Sequence, residues 1–458
     1  MNNNKKPYTL TTINDKMILP FTSKEGENLE YSNSKHIQQV VEGFSKFYGH
    51  VIESNKFDST ELRNFMEVQF KKAGYRQSSK IRKETEILII HDGAIGDFIT
   101  MSAAIRETRR IYPDAHIVLS INQRVISLAE CCPYVDEIII SNLKCRTDDL
   151  YSSYFACLEF AKDHLLKYRF DIAYASIFGM RPFNPLLAYM SGAKECISHA
   201  TAYTRLFFPL MTLLAPFPLY GTHCADIAMS YLDYQLRAPV SNRQLEIWVD
   251  SSDIDKLKQL LPQSDNLYGV CLGGSLPRKH WSPKFYSELL NMILNIEQAK
   301  FVILGGSQDF ESGQMVESLV GSEYITNLAG KLSIRESAAA LSFCKTYIGN
   351  DTGMMHAASA VGIPILAPFC FPQDIKLPSN LDIISSLKRW YPYGVPSIIV
   401  QPKHALPECK DSKDDSGCKI ENKEAHCINQ ITPKTMFRAF QLLKKQISKN
   451  VIETVFFS

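Results

Sequence analysis

The sequence lacks several features that would assign it at once to a specialised class of protein. No apolar run reaches the roughly 18 residues that span a bilayer. The start, MNNNKKPYTLTTINDKMILPF, has no long apolar core followed by a small-residue cleavage site. An excess of one charge is also missing, since 50 basic side chains stand against 48 acidic ones in 458 residues. We therefore expect no secretory signal, no membrane span and no bulk attraction to nucleic acid, and we predict a cytoplasmic protein.

Cysteine is not scarce, but its usual metal-binding spacing is absent. The chain has 12 cysteines and no C-x-x-C pair, the spacing that makes a zinc site convincing. Only Cys409, Cys418 and Cys427 are evenly spaced, with His404 and His426 nearby. A structural cluster of thiols is the default interpretation and a metal site the weaker alternative. The sequence therefore predicts no cofactor and no metal.

The length and the hydrophobic pattern predict more than one domain. At roughly 150 residues per domain, two or three are expected. Strand patterns alternate with helices of 10 to 15 residues, which favours two parallel α/β sheets of the Rossmann type. The text APVSNR, residues 238–243, breaks this pattern and is the predicted linker. The predicted parts are an amino-terminal extension over 1–84, α/β domains over 85–240 and 241–432, and a final helix and tail over 433–458.

The amino-terminal extension has apolar residues at helical spacing over 34–51 and 59–73. We predict two amphipathic helices there. They either pack on the body of the protein or present a surface to an acceptor, a partner chain or a membrane face.

The first motif that could carry chemistry is G-A-I-G-D. Four aliphatic residues over 87–90 predict a buried parallel strand, and Gly93 and Gly96 predict a tight turn that delivers Asp97 to the start of a helix. Open α/β sheets bind ligands at the carboxyl ends of central strands, so Asp97 is a candidate general base. The alternative is a helix cap worth about 1 kcal/mol, and Asp92 is a neighbouring competitor. The motif is not the dinucleotide fingerprint G-x-G-x-x-G.

The second motif is GGSLPRKHWSP, residues 273–283. A predicted strand ends in two glycines, and the loop that follows presents Ser275 and Lys279. Backbone amides near glycines together with adjacent cations suit a diphosphate. The alternative is an ordinary exposed basic loop.

The third motif is GNDTGMMHAASA, residues 349–360. Asp351 and Thr352 precede a helix whose first turn contains Gly353 and Met354, so amides and the positive helix end would face an anion. Gly353 would also permit close approach of a phosphate. His356, one turn further on, is either a packing residue or a ligand.

Acceptor contacts are expected in the segment between residues 179 and 218, which is rich in aromatics, proline and methionine. This segment would cover the mouth of the first sheet. Arg181 is the candidate anion contact there, although an arginine in a polar loop is more often simply solvated.

These separated motifs resemble, in their order, glycosyltransferase family 9, the bacterial heptosyltransferases that add ADP-activated heptose to lipopolysaccharide core. The shared texts are ILIIHDGAIGDFITMSAAIRETRRIYPDAHI, LGGSLPRKHWSPKFYSELL, NLAGKLSIRESAAALSFCKTYIGNDTGMMHAASAVGIPILAPF and the weaker CINQITP. They extend from Glu86 to Pro433. The amino-terminal extension has no counterpart in this resemblance.

The resemblance implies a GT-B type fold, in which two Rossmann-like domains face a central cleft. The first would hold the acceptor, near Gly93, Gly96 and Arg181, and the second the nucleotide sugar. An inverting, metal-independent transfer is implied, which agrees with the lack of a D-x-D pair at a strand end. The implied roles are Asp97 as general base, Lys279 as the donor phosphate contact, and Ser275, Asp351, Thr352, Gly353, Met354 and His356 as the remaining donor contacts.

The resemblance also implies the partners, which are ADP-heptose and a glycolipid or oligosaccharide acceptor, with peripheral contact at the inner membrane as a further option. One departure is FCFPQD, residues 369–374, where Cys370 replaces an expected glycine. It leaves the identity of the sugar open. The alternatives are therefore another nucleotide sugar, a protein acceptor such as an autotransporter, or a non-catalytic partner that binds nucleotide sugars.

Overall fold

A computed structural model describes residues 85–145, 150–176, 183–199, 211–215, 223–236, 240–373, 387–407 and 427–457. The predicted helices of the amino-terminal extension lie outside these residues. Contacts between Cα atoms divide the chain into two compact units. The first contains residues up to Gly93, Arg109–Gln123 and Val135–Phe217, and the second contains Ala94–Thr108, Arg124–Tyr134 and Pro218–Ser458.

The first unit is built on a parallel sheet. Its six strands have the order β3-β2-β1-β4-β5-β6. They are β1 Glu86–His91, β2 His116–Ile121, β3 Glu137–Ile140, β4 Ile172–Ala175, β5 Glu195–His199 and β6 Leu213–Ala215. Every residue of β1 is buried, as expected for a central strand covered on both faces. The strand order changes direction between β1 and β4, so Gly93 follows a strand at a topological switch point.

The second unit is built on a seven-stranded parallel sheet in the order β13-β12-β11-β10-β7-β8-β9. The strands are β7 Leu267–Cys271, β8 Lys300–Ile303, β9 Ile325–Asn327, β10 Thr346–Gly349, β11 Ile365–Pro368, β12 Ser397–Val400 and β13 Thr454–Phe457. The chain leaves β7 towards β8 and β9 and then returns to the other side at β10. The switch point of this sheet is therefore between β7 and β10, where open α/β sheets bind ligands.

The described α-helices connect these strands. They are α1 Ile95–Ile111, α2 Ile126–Ala129, α3 Leu150–Phe160, α4 Phe183–Met190, α5 Cys224–Leu236, α6 Ser251–Leu260, α7 Pro283–Leu294, α8 Phe310–Val320, α9 Ile334–Leu341, α10 Gly353–Val361, α11 Leu387–Trp390 and α12 Pro433–Ser448. Among these helices, none is long and apolar enough to cross a bilayer. Two parallel α/β sheets confirm the predicted fold class.

The first turns of α1 are held within the second unit by a segment that has no helix or strand of its own, residues 240–249. Arg106 Nη1 donates to Glu246 Oε1 at 2.6 Å. Ser102 Oγ accepts from the Glu246 amide at 2.9 Å, and the ring of Phe98 meets that of Trp248 edge to face. This segment includes residues 240–243 of the predicted linker over 238–243, and the predicted domain boundaries stay a prediction.

Candidate active site

Asn350 joins the loop after β7 to the loop after β10. This side chain is fully buried. Its Nδ2 donates to the carbonyls of Leu272, at 2.5 Å, and Gly273, at 3.2 Å. Its Oδ1 accepts from the Trp281 amide at 3.3 Å and from Tyr286 Oη at 2.8 Å. A buried amide that makes four hydrogen bonds fixes the relative position of the two loops.

Lys279 and Asp351 form an ion pair at this switch point. Lys279 lies in a short 3₁₀ turn, Pro277–Lys279, and its Nζ is 2.6 Å from Asp351 Oδ2. The side chains are 20% and 8% exposed. Burial alone would lower the pKa of Lys279, but the Asp351 carboxylate holds this pKa above its ordinary value. A permanent cation is therefore fixed in place beside the start of α10.

Thr352 begins α10. It has an extended backbone, and its Oγ1 accepts a hydrogen bond from the Met354 amide at 3.2 Å. Tyr347 Oη donates to the Asn350 carbonyl at 2.8 Å, directly before this turn. We call residues 351–353 the donor turn. The Met354 amide, which was predicted to face the donor, therefore already donates to the threonine cap.

Asp97 lies in the first turn of α1, within the second unit. Its Oδ2 accepts a hydrogen bond from the Ala94 amide at 2.8 Å, and its carbonyl accepts one from Thr100 Oγ1 at 2.8 Å. The capping bond that the sequence offered as an alternative role is therefore present. This bond uses only one of the two carboxylate oxygens, so it is compatible with a role as a base. The assignment of Asp97 as general base stays a prediction. We call residues 94–97 the base turn.

The base turn and the donor turn touch each other through glycines. A Cβ atom at Gly96 would lie 2.7 Å from His356 Cδ2 and 3.5 Å from Gly353 Cα. A Cβ atom at Gly353 would lie 2.6 Å from Ile95 Cγ2 and 3.2 Å from the Gly96 amide nitrogen. Only glycine at both positions allows the starts of α1 and α10 to approach this closely. Together with the Lys279–Asp351 ion pair, this contact brings all three predicted motifs together.

His356 is buried beneath this contact, with 3% of its surface exposed. Burial lowers its pKa to about 4, and Asp351 opposes this effect while Lys279 adds to it. Its ring meets the edge of Trp390, with 6.1 Å between the ring centroids. His356 is therefore a neutral side chain packed within the site.

Asp309 is a carboxylate that the sequence analysis did not select. It follows β8 and packs where a Cβ atom at Gly273 or Gly305 would stand, at 2.2 Å and 2.4 Å from its carboxylate oxygens. It accepts a hydrogen bond from the Gly306 amide at 2.9 Å, and burial raises its pKa. The signal was present in the text GGSQD, two glycines and an acid after a strand, as in the first motif, GAIGD. Asn350 was missed although it lies inside a motif that was selected.

Other predicted site residues are not part of this cluster. Ser275 is exposed in the loop after β7. Gly93 belongs to the first unit, where its carbonyl accepts from Asn122 Nδ2 at 2.6 Å. Arg181 lies outside the described residues, so its place in an acceptor site stays a prediction.

The cysteine cluster is described only in part. Cys409 and Cys418 lie outside the described residues, whereas Cys427 is buried and its Sγ accepts from the Leu406 amide at 3.4 Å. Within the described ranges, no group of three or more His, Cys, Asp or Glu side chains is placed to hold a metal ion.

Solved structures of low sequence identity share this fold. A glycosyltransferase family 9 protein from Veillonella parvula superposes with a TM-score of 0.62 at 22% identity, covering 81% of this chain and 100% of the other. The ADP-heptose lipopolysaccharide heptosyltransferase II of Escherichia coli superposes with a TM-score of 0.56 at 18% identity, covering 80% of this chain and 100% of that one. At these identities the likeness shows the fold, which is the predicted GT-B type.

Sequence comparison reaches a shorter part of the chain. Lipopolysaccharide heptosyltransferase 2 of Salmonella typhimurium is 28% identical over 151 residues, which are 31% of this chain and 43% of that protein. The chain thus matches less than half the length of this curated relative. The model of glycosyltransferase family 9 (heptosyltransferase) matches residues 217–387, which include Lys279, Asp351 and His356. The predicted resemblance is confirmed for this part of the chain.

Proposed function

We propose that this protein is an inverting glycosyltransferase that moves heptose from ADP-heptose to a sugar of the lipopolysaccharide core. One observation carries the proposal, namely the largely buried Lys279–Asp351 ion pair at the switch point between β7 and β10, at the start of α10. A fixed cation and a helix amino terminus together suit a diphosphate. The names of the similar proteins from Salmonella and Escherichia coli support heptose as the sugar and ADP as the carrier.

The donor diphosphate would lie against Lys279 Nζ and the donor turn. Asp351 holds the ammonium group in position, and the dipole of α10 adds roughly 0.3 to 1 kcal/mol for an anion at its start. Gly353 allows the close approach of Ile95, whose Cγ2 fills the space that a side chain there would occupy. These groups are in place before the donor binds, so they can act on the charge that develops on the leaving diphosphate without first reorganising.

Asp97 would act on the acceptor. Its carboxylate removes the proton from an acceptor hydroxyl while that oxygen forms a bond to the anomeric carbon. The bond from this carbon to the diphosphate breaks at the same time, and its electron pair leaves with ADP. Attack from the face opposite the diphosphate inverts the anomeric centre. General-base catalysis of this kind contributes about 10² to 10⁴-fold.

The acceptor would be a glycolipid or its oligosaccharide, reached from the side of Gly93, Gly96 and Arg181. Because lipopolysaccharide precursors are anchored in a bilayer, we infer a cytoplasmic protein with peripheral contact at the inner face of the membrane. We further propose that the reaction needs no metal, since Lys279 supplies the positive charge at the diphosphate.

Release of ADP from ADP-heptose by the purified full-length protein, with and without truncated core oligosaccharide, tests this proposal. We expect release that depends on the oligosaccharide. If the nucleotide is released only when another nucleotide sugar is supplied, ADP-heptose is not the donor. If ADP is released only when a protein acceptor is supplied, the lipopolysaccharide core is not the acceptor. Binding of ADP-heptose without release under any of these conditions would favour a non-catalytic partner.

A further inference from the structure

We infer that His356 is a positioning residue, which acts by its shape to set the base turn at a fixed place against the donor turn. The inference rests on the proposed function and adds a role for a buried imidazole to which the steps proposed above assign no part. It also gives Gly96 a specific reason to be glycine.

The contact is made by one edge of the ring. A Cβ atom at Gly96 would be 2.7 Å from His356 Cδ2 and 3.4 Å from His356 Nε2, so this edge faces the backbone of α1 directly. The start of α1 makes a second contact with α10, because Ile95 Cγ2 fills the space above Gly353. The base turn therefore rests on two contacts, both made by the first turns of α10.

The charge state of the ring favours a role based on shape. The imidazole is neutral, with a pKa lowered to about 4, and the charged groups that act on it, Asp351 and Lys279, are already paired with each other. Its Nδ1 is buried without a hydrogen-bond partner among the residues that the structure describes. The ring of Trp390 covers it edge-on. A neutral ring with little hydrogen bonding is a spacer held by packing.

Misplacing the base turn should affect the chemical step more than donor binding. A shift of about 1 Å in a catalytic group can reduce the rate by about 100-fold. The donor contacts proposed above are made by Lys279 and the donor turn, and Asn350 also ties this turn to the loop after β7. A methyl group at Gly96 should therefore lower kcat about 10- to 100-fold while KM for ADP-heptose changes less than about 3-fold.

A size-exchange cycle tests this role. Gly96→Ala adds a methyl group where the ring stands, and His356→Ala removes the ring, which should lower kcat about 3- to 10-fold. In the double variant, Gly96→Ala with His356→Ala, the new methyl group occupies the space that the ring has left. The value of kcat should therefore return to within about 3-fold of that of His356→Ala. The control cycle combines Gly96→Ala with His280→Ala, because the exposed His280 imidazole lies on Gly274 and not on Gly96. That pair should show no rescue.

The outcomes separate the inference from the proposed function. Rescue of kcat in the first cycle and none in the control cycle supports the positioning role. An active wild type without rescue overturns the inference alone. Rescue of the thermal midpoint without rescue of kcat also overturns it, since the contact would then be structural only. A wild type that releases no ADP removes the proposed function, and the inference with it.

Discussion

The base turn and the donor turn have the same local design but treat their carboxylates differently. Each lies at the start of an α-helix and is held by a side-chain cap. In the donor turn a threonine makes the cap, and Asp351 is paired with Lys279. In the base turn the carboxylate of Asp97 itself makes the cap, by accepting from the Ala94 amide.

This difference explains how one motif type can serve two tasks. Where a threonine caps the helix, the acid is available to hold a cation, and this cation is the group that we propose to bind the donor. Where the acid caps the helix, the structure orients its carboxylate by a backbone bond, as a base requires. We first predict the effect of altering each turn and then of altering the residues around them, from the largest expected effect to the smallest.

Asp97→Asn should separate capping from base catalysis. The asparagine oxygen can still accept from the Ala94 amide, so the thermal midpoint should change by no more than about 2 °C. Because an amide cannot take the proton, we expect kcat to fall about 100-fold or more, measured by ADP release with the oligosaccharide present. Asp92→Asn is the matched control and should stay within about 10-fold of the wild type. Near-normal turnover of Asp97→Asn would remove Asp97 from the mechanism.

Lys279→Met should damage the donor turn while leaving the base turn in place. Loss of the cation should lower kcat/KM for ADP-heptose about 100-fold, because the leaving diphosphate loses its charged partner. Lys284, exposed near the start of α7, provides the control, and Lys284→Met should behave like the wild type. Equal losses in the two variants would show that general positive charge, rather than the fixed ion pair, is what matters.

Asn350→Ala should weaken the connection between the two loops of the second sheet. Its amide makes four hydrogen bonds in a buried place, and its removal leaves buried partners unsatisfied. We expect the free energy of unfolding to fall by about 2 to 4 kcal/mol in urea titrations. Asn122→Ala in the first unit changes a partly buried amide and should cost less than about 1 kcal/mol. A reversed ranking would contradict the assigned role.

Acidification should lower stability through the buried imidazoles. Burial lowers the pKa of His356 to about 4 and that of His223 to about 3, both below the ordinary 6.5. Between the folded-state pKa values and 6.5, the unfolded chain binds protons that the folded chain does not. The contribution of these imidazoles to the free energy of unfolding is therefore fully present above about pH 6.5 and is lost as the pH falls towards 4. The loss at pH 4.5 should be roughly 2 kcal/mol for His356. His356→Gln should flatten the dependence of the urea midpoint on pH, and an unchanged slope would show that the imidazole is not buried in neutral form.

Much of the fold could be predicted from local patterns. The runs that form β1 and β7 are nearly continuous apolar residues followed by glycines. The final helix, α12, begins at Pro433, as predicted. The strands that were missed are short or carry polar residues, such as β9, with the text ITN, and β5, with the text ECISH. Such strands are recognisable only through their neighbours in the sheet, which a local pattern does not contain.

The site shows the same limit. Sequence selected Lys279 and Asp351 separately, as part of a basic loop and an anion-binding turn, but not as an ion pair, because pairing depends on β7 lying beside β10. It assigned Gly96 to the acceptor side and His356 to the donor side. The contact between them arises because the first turns of α1 pack within the second unit. Tertiary contacts of this kind have no local signal.

The central claim is that the base turn and the donor turn together transfer a sugar from ADP-heptose. The most direct test is ADP release by the full-length protein given ADP-heptose and truncated core oligosaccharide, measured for the wild type beside Asp97→Asn. The account predicts release by the wild type that requires the oligosaccharide, and a loss of about 100-fold or more in the variant. Equal release by the two proteins, or none by the wild type, would contradict it.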